Sequence, residues 1–179
     1  MYEASIQYSL RARDWAEAHI ALSRLQRLYG SHRRSFYNTE HLCSIILFKY
    51  FYCNDLQELD HLWSQLSPDQ QRLPQCDLAW GVVTLAISQN IVHLRRLVLR
   101  GAEKLILDEI IKRAEAELGL AVFRAYPLLP PSWIEQLFNQ PKFECIDDAR
   151  TFAVQKLMLD PDRVGINSER TKLVSRRKK

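Results

Sequence analysis

The sequence predicts a mainly α fold in which stacked helical hairpins lead into small helices and a terminal β-hairpin. Three observations predict it. Apolar residues recur at three- and four-residue spacing along most of the chain, the period of helices with one buried face. Glycine is scarce, with five in 179 residues. An Asx residue followed by a large apolar one marks a helix start three times, at Asp14-Trp15, Asp55-Leu56 and Asn90-Ile91. These starts lie 41 and 35 residues apart, the period of stacked helical pairs whose apolar faces only a neighbour can bury. A generic helix bundle with similar caps is the alternative.

The elements follow in order. Ile6, Leu10 and Ala12 begin a first helix that pauses at Arg13-Asp14. Asp14 caps a second helix carrying Trp15, Ala18, Leu22, Leu25 and Leu28, and Gly30 is expected to close it in the left-handed conformation. Asn38 or Thr39 opens a third through Leu42, Ile45, Ile46 and Tyr50, interrupted by Asn54-Asp55. The next carries Leu56, Leu59, Leu62, Trp63 and Leu66, after which Pro68 and Pro74 bracket an expected loop. Leu78 to Ser88 is apolar nearly all round, which predicts a buried helix. Asn90 caps a helix with Leu94, Leu97 and Val98 that Gly101 is expected to end. A long helix over about 105–126 has Ile106, Ile110, Ile111, Ala114, Leu118, Ala121 and Val122 as its inner stripe.

Pro127, Pro130 and Pro131 stop that helix, and the texture changes. Ser132 is expected to cap a short helix with Trp133, Ile134, Leu137 and Phe138, and Asp147 another with Ala149, Phe152, Ala153 and Leu157. Val164-Gly165-Ile166 and Leu173-Val174 read as two strands about a turn at Asn167-Ser168. Short helices ending in a β-hairpin with basic residues describe a winged helix-turn-helix. The organisation is thus a helical-repeat part over 1–126, a winged-helix part over 127–175 and a basic tail over 176–179.

Composition narrows the class. Hydrophobic residues at 47% and charged ones at 26% suit a soluble globular chain with a real core. The net charge of +4 is uneven: from Arg163 onward seven basic residues face one acid, Glu169, leaving −2 on residues 1–162. Cys43, Cys53, Cys76 and Cys145 contain no CxxC pair; Cys43 and Cys53 fall in a strongly apolar helix, as reduced core cysteines in a reducing compartment would. No charged segment precedes an apolar one at the N-terminus, so no signal peptide is read, and the longest apolar run is too short to span a bilayer.

Several residue sets resemble those of a known family. Tyr2-Glu3, Tyr8-Ser9-Leu10, Asp14, Glu17, Leu25 and Leu28-Tyr29 are followed by Glu40-His41 leading to Ile46-Leu47-Phe48-Lys49-Tyr50, and by Leu129-Pro130-Pro131-Ser132-Trp133-Ile134 with Leu137-Phe138. Over about residues 2–160 the chain resembles PCI-domain proteins of the GANP (germinal-centre-associated nuclear protein) type. The resemblance implies a TPR-like solenoid joined to a winged helix. It also implies a nuclear scaffold subunit in mRNA processing, transcription coupling or export. A second PCI-domain protein and a small acidic disordered polypeptide are the partners it implies. Two other readings stay open: a direct nucleic-acid-binding module, and a PCI subunit of a proteasome-lid or translation-initiation assembly.

Chemistry adds little that is catalytic. There is no HExxH, GxSxG or P-loop pattern, and no glycine-rich loop to cradle a phosphate. The histidines at 19, 32, 41, 61 and 93 lack metal-ligand spacing, and His19 and His61 read as helix-surface residues. No enzyme, cofactor, metal or membrane contact is therefore expected. Phe48, Tyr50, Phe51 and Tyr52 offer either packing between hairpins, the favoured reading, or a base-stacking platform. Arg96 and Arg100, one turn apart if helical, form a secondary basic face beside Arg95 and Lys104. Arg163, Arg170, Lys172, Arg176, Arg177, Lys178 and Lys179 are the candidate contacts to an RNA or DNA backbone, which needs charge and reach rather than base-reading geometry. For the last four, a solubilising tail and a nuclear-import signal are equal alternatives.

Overall fold

The computed structural model describes residues 2–30, 41–54, 56–126, 128–167 and 169–175; the side chains of Tyr29, Arg163 and Ser175 lie outside that description. Ten helices and a small three-stranded antiparallel sheet make up the described chain, with the sheet following the helices. Two compact units divide it, Met1–Ile111 and Lys112–Lys179.

In the first unit the helices are α1 (Tyr2–Ala12), α2 (Trp15–Gly30), α3 (Leu42–Cys53), α4 (Leu56–Gln65), α5 (Pro68–Gln71), α6 (Pro74–Ile87) and α7 (Ile91–Arg96), followed by the start of α8 (Gly101–Ala125). α1 packs on α2, α3 on both α4 and α6, and α6 on α7. The three hairpin turns share one device. Arg13, Asn54 and Gln89 each adopt a left-handed conformation at φ 58°, 49° and 53°, directly before the Asx residue read as a helix start. At the outer two turns the chain reverses by paired backbone bonds. The Arg13 and Asp14 amides donate to the Leu10 and Ser9 carbonyls, and those of Gln89 and Asn90 to Ala86 and Leu85. These are the reverse-turn bonds that satisfy a helix's last carbonyls, and they offset the left-handed strain of non-glycine residues. The same Asx then caps the next helix: Asp14 Oδ1 accepts from the Glu17 amide at 3.0 Å, and Asn90 Oδ1 from His93 at 3.3 Å. Asp55, the middle cap, and the proposed start at Asn38 or Thr39 lie outside the described residues.

The core of this unit takes Ile6, Leu10, Ala18, Leu22, Leu25, Leu42, Ile45, Ile46, Leu59, Leu62 and Leu94, as the spacing predicts, together with Phe48. Several expectations are corrected. α2 runs through Gly30, so that residue ends the helix from within. Leu28 is exposed. Pro68 and Pro74 do not bracket a loop; each opens a helix at a position whose amide would have no partner anyway. Ser67 and Gln70 form a capping box, the serine Oγ accepting from the Gln70 amide at 3.2 Å and Gln70 Oε1 from the Ser67 amide at 3.0 Å. α6 is not buried all round. Cys76, Ala79, Val82, Val83 and Ala86 face inward, while Leu78, Trp80 and Ile87 are exposed. α7 ends at Arg96, Val98 is exposed, and Gly101 at φ 59° begins α8 instead of ending α7.

In the second unit α8 leads to β1 (Leu128–Leu129), α9 (Pro131–Phe138), α10 (Ile146–Gln155), a 3-10 turn at Pro161–Arg163, β2 (Val164–Ile166) and β3 (Leu173–Ser175). β3 lies in the centre, pairing Val174 with both Leu128 and Gly165. Alternation along the strands turns Leu129, Val164 and Leu173 into a core with Phe123, Ile134, Phe138, Ala149, Ala153 and Leu157. This order is compatible with a winged helix. The inner stripe of α8 is rotated from expectation: Phe123 is buried, Leu118 and Val122 are half-buried, and Ala121 is exposed. Gly119 marks a close approach, because a Cβ there would lie 2.9 Å from Leu157 Cδ1. Only glycine fits without moving Leu157. The caps also differ. Pro130 stands at the N-cap of α9 with Ser132 inside the helix, and Cys145 caps α10, its amide donating to Asp148 Oδ2 at 3.0 Å.

Candidate nucleic-acid interface

Of the seven predicted phosphate contacts, the described residues give side-chain positions for Arg170 and Lys172. The turn carrying them is built by one residue. Asn167 Oδ1 accepts from the amides of Thr171 and Lys172, each at 2.8 Å, and the Asn167 amide donates to the Lys172 carbonyl at 3.1 Å. Arg170 takes the left-handed conformation at φ 56° to let the chain reverse. Both basic side chains are consequently exposed. Arg170 is not free, however: its guanidinium pairs with Asp147 in the first turn of α10. Asp147, expected as a helix cap, is thus a counter-charge to a predicted phosphate contact, and its cap position belongs to Cys145. The Arg163 side chain and Arg176, Arg177, Lys178 and Lys179 lie outside the described residues.

Helix α10 is acidic where a base-reading helix would be basic. Asp147 and Asp148 occupy its first turn, where they complement the helix dipole but repel phosphate. Its arginine, Arg150, is used internally, Nε donating to the Val164 carbonyl at 2.9 Å and tying α10 to β2. The loop before α10 is held by Glu135 Oε1 accepting from the Phe143 amide at 2.7 Å and by Phe143 packing on Phe152.

The secondary basic face is not a helix face. Arg96 is the last residue of α7 and Arg100 belongs to the irregular segment before α8, so the one-turn spacing does not align them, although both are exposed. The aromatic group packs in part, with Tyr52 still exposed. Phe48 is fully buried against Trp15, Phe51 meets Trp15 edge-on at 5.3 Å, and Tyr52 lies against His19 at 4.4 Å. His19 is therefore half-buried, contrary to the surface reading, while His61 is exposed as expected. Sequence reasoning missed Lys49, a buried cation between Phe48 and Tyr50. Its only local signal was a charge inside an otherwise apolar helix.

Among the described residues no three or more His, Cys, Asp or Glu side chains are grouped to hold a metal, and no helix is long and apolar enough to cross a membrane. Cys43 and Cys76 are buried, Cys53 is half-buried and Cys145 exposed, and none of the four is in a disulfide. Burial pushes the Cys43 thiol up to about 12, with Glu103 and Cys76 adding to the effect. A neutral thiol is a poor nucleophile. At pH 8 a thiol reagent should label Cys145 rapidly and Cys43 and Cys76 only as fast as the first unit opens; fast native labelling of Cys43, read by peptide mass, would overturn the placement of α3. No family model matches the chain, and no curated protein matches it significantly.

Proposed function

We propose that this chain is a non-enzymatic scaffold subunit of the PCI type, acting in a nuclear multiprotein complex that processes, couples or exports mRNA. The observation that carries the reading is the order of elements. Paired helices in the first unit, broken by a repeated left-handed/Asx device, precede a segment with sheet order β1-β3-β2 and with α9 and α10 between β1 and β2. In this reading the first unit is a TPR-like solenoid and the second a winged helix-turn-helix.

A scaffold needs surfaces for partners more than it needs a cleft. Apolar side chains left in water supply them: Leu78, Trp80 and Ile87 on α6, and Tyr126, Leu128, Trp133 and Leu137 in the second unit. The partners we assign are a second PCI-domain protein and a small acidic disordered polypeptide. Nucleic-acid contact is auxiliary and comes from the hairpin turn and the basic tail. The acids opening α10 weigh against the rival in which that helix reads bases.

Affinity capture from nuclear extract with the full chain as bait, with and without nuclease, separates the two. Stoichiometric recovery of a helical-repeat subunit and an acidic polypeptide that survives nuclease supports the scaffold. Capture that disappears with nuclease would replace it by the nucleic-acid module.

A further inference from the structure

Charged and aromatic side chains from α2, α3 and α4 converge at one edge of the first unit, where Lys49 is buried, His19 half-buried and Tyr52 and Glu58 exposed. Lys49 of α3 is 4% exposed, and its ammonium lies 2.7 Å from Glu58 Oε2 of α4. His19 of α2 stacks on Tyr52 of α3 at an interplanar angle of 20°. Its Nδ1 is buried and has no hydrogen-bond partner among the described residues. Lys49 and Glu58 are the charges that act on the imidazole; His61, farther along α4, acts on Glu58; α1, also packed on α2, contributes none of these.

We propose that this cluster is a pH-sensitive latch that holds α2 on α3 and α4 while His19 is neutral and releases it when His19 is protonated. With the proton on Nε2, the bare Nδ1 loses only an acceptor contact. A second proton creates a cationic N–H donor in a buried position with no acceptor among the described residues. It also places that charge beside Lys49, with the single carboxylate of Glu58 already engaged by the ammonium.

The electrostatics agree with the geometry. Burial, then Lys49, lowers the pKa of His19 below its ordinary 6.5, and Glu58 opposes this only in part. Above 6.5 the closed and open states are both neutral at this residue, and the latch is at full strength. As pH falls below 6.5 the open state binds the proton first, so the closed state loses ground until the lower, closed-state pKa is reached. Glu58, its carboxyl lowered by the hydrogen bond and charge of Lys49, weakens the same contact at still lower pH.

Hydrogen exchange of the full chain, read by peptide mass at pH 7.5, 6.5 and 5.5 and corrected for the intrinsic rate, tests the latch. Opening of α2, α3 and α4 should change by no more than about twofold from 7.5 to 6.5. By 5.5 it should have risen by up to about tenfold over its value at 7.5, the limit for one proton. Peptides of α6 and α10 should not follow. His19→Phe keeps a ring on Tyr52 and removes the titration, so the rise should vanish. His19→Gln, which restores a neutral polar group, should behave likewise and serves if the first variant folds poorly. A rise of equal size in either variant, or none in the natural protein, would overturn the proposal.

Discussion

Phe138→Ala should unfold the second unit at a cost of about 3–5 kcal/mol, the largest loss expected of any single substitution there. Phe138 is 1% exposed, and its ring lies 5.9 Å from Phe152, which in turn meets Phe143 at 5.7 Å. These three rings join α9, the loop after it and α10. α9 runs only from Pro131 to Phe138, far too short to hold as a helix without the packing its last residue supplies. Truncation would leave a cavity the size of a ring, and the neighbours that could collapse into it are fixed by strand register or by the Glu135 bond to the loop. A unit of this size has a total stability of about 3–10 kcal/mol, so most or all of it would go. Urea denaturation followed by hydrogen exchange of α9 and α10 peptides measures the loss, and a value below about 1 kcal/mol would mean that α9 is not seated on the core. Leu118→Ala is the contrast. Leu118 only borders the same cluster, and about 1 kcal/mol is expected.

What was legible in the sequence was whatever has a local cause. A cap lies within three residues of the amide it satisfies, so Asp14 and Asn90 were readable as helix starts. The hairpin turn at Asn167 was readable for the same reason. Local chemistry also allowed errors, because one residue type serves two ends. Gly101 suits a helix end and a left-handed start equally. Proline stops one helix and opens another, and the Ser67–Gln70 box that would have decided the case at Pro68 was present but unread. The two-residue strand Leu128–Leu129 had no pattern of its own; β3, forty-odd residues later, makes it a strand.

The site was less legible than the fold, since charge is decided by partners remote in sequence. Arg170 is 23 residues from the Asp147 that engages it. Lys49 is buried because α4 returns Glu58 to its ammonium, a consequence of hairpin geometry. Counting cations from Arg163 to Lys179 gives the net charge but does not reveal that Arg170 already faces Asp147. Asp147 removes Arg170 from the pool as long as their pair is closed.

That difference sets the second large effect. The chain should bind single-stranded RNA and DNA without sequence preference, and affinity should fall about 20- to 500-fold between about 50 and 200 mM salt if three to five cations displace counterions. Changing Arg176, Arg177, Lys178 and Lys179 to Ala should remove most of that dependence, with an unchanged circular dichroism spectrum as the control for folding. The residual slope would report Arg163 and Lys172, with Arg170 joining only when it leaves Asp147. Asp147→Asn separates these cases. It removes the counter-charge to Arg170 and one acid from the first turn of α10, so the slope should steepen by close to one contact, about 0.7–0.9 in log-log units. The gain should persist in the tail variant, since it arises at the hairpin turn. Fluorescence anisotropy across a salt series gives both slopes. An unchanged affinity in the tail variant would assign those four residues to nuclear import, and no binding at the lowest salt would leave a scaffold that touches only protein.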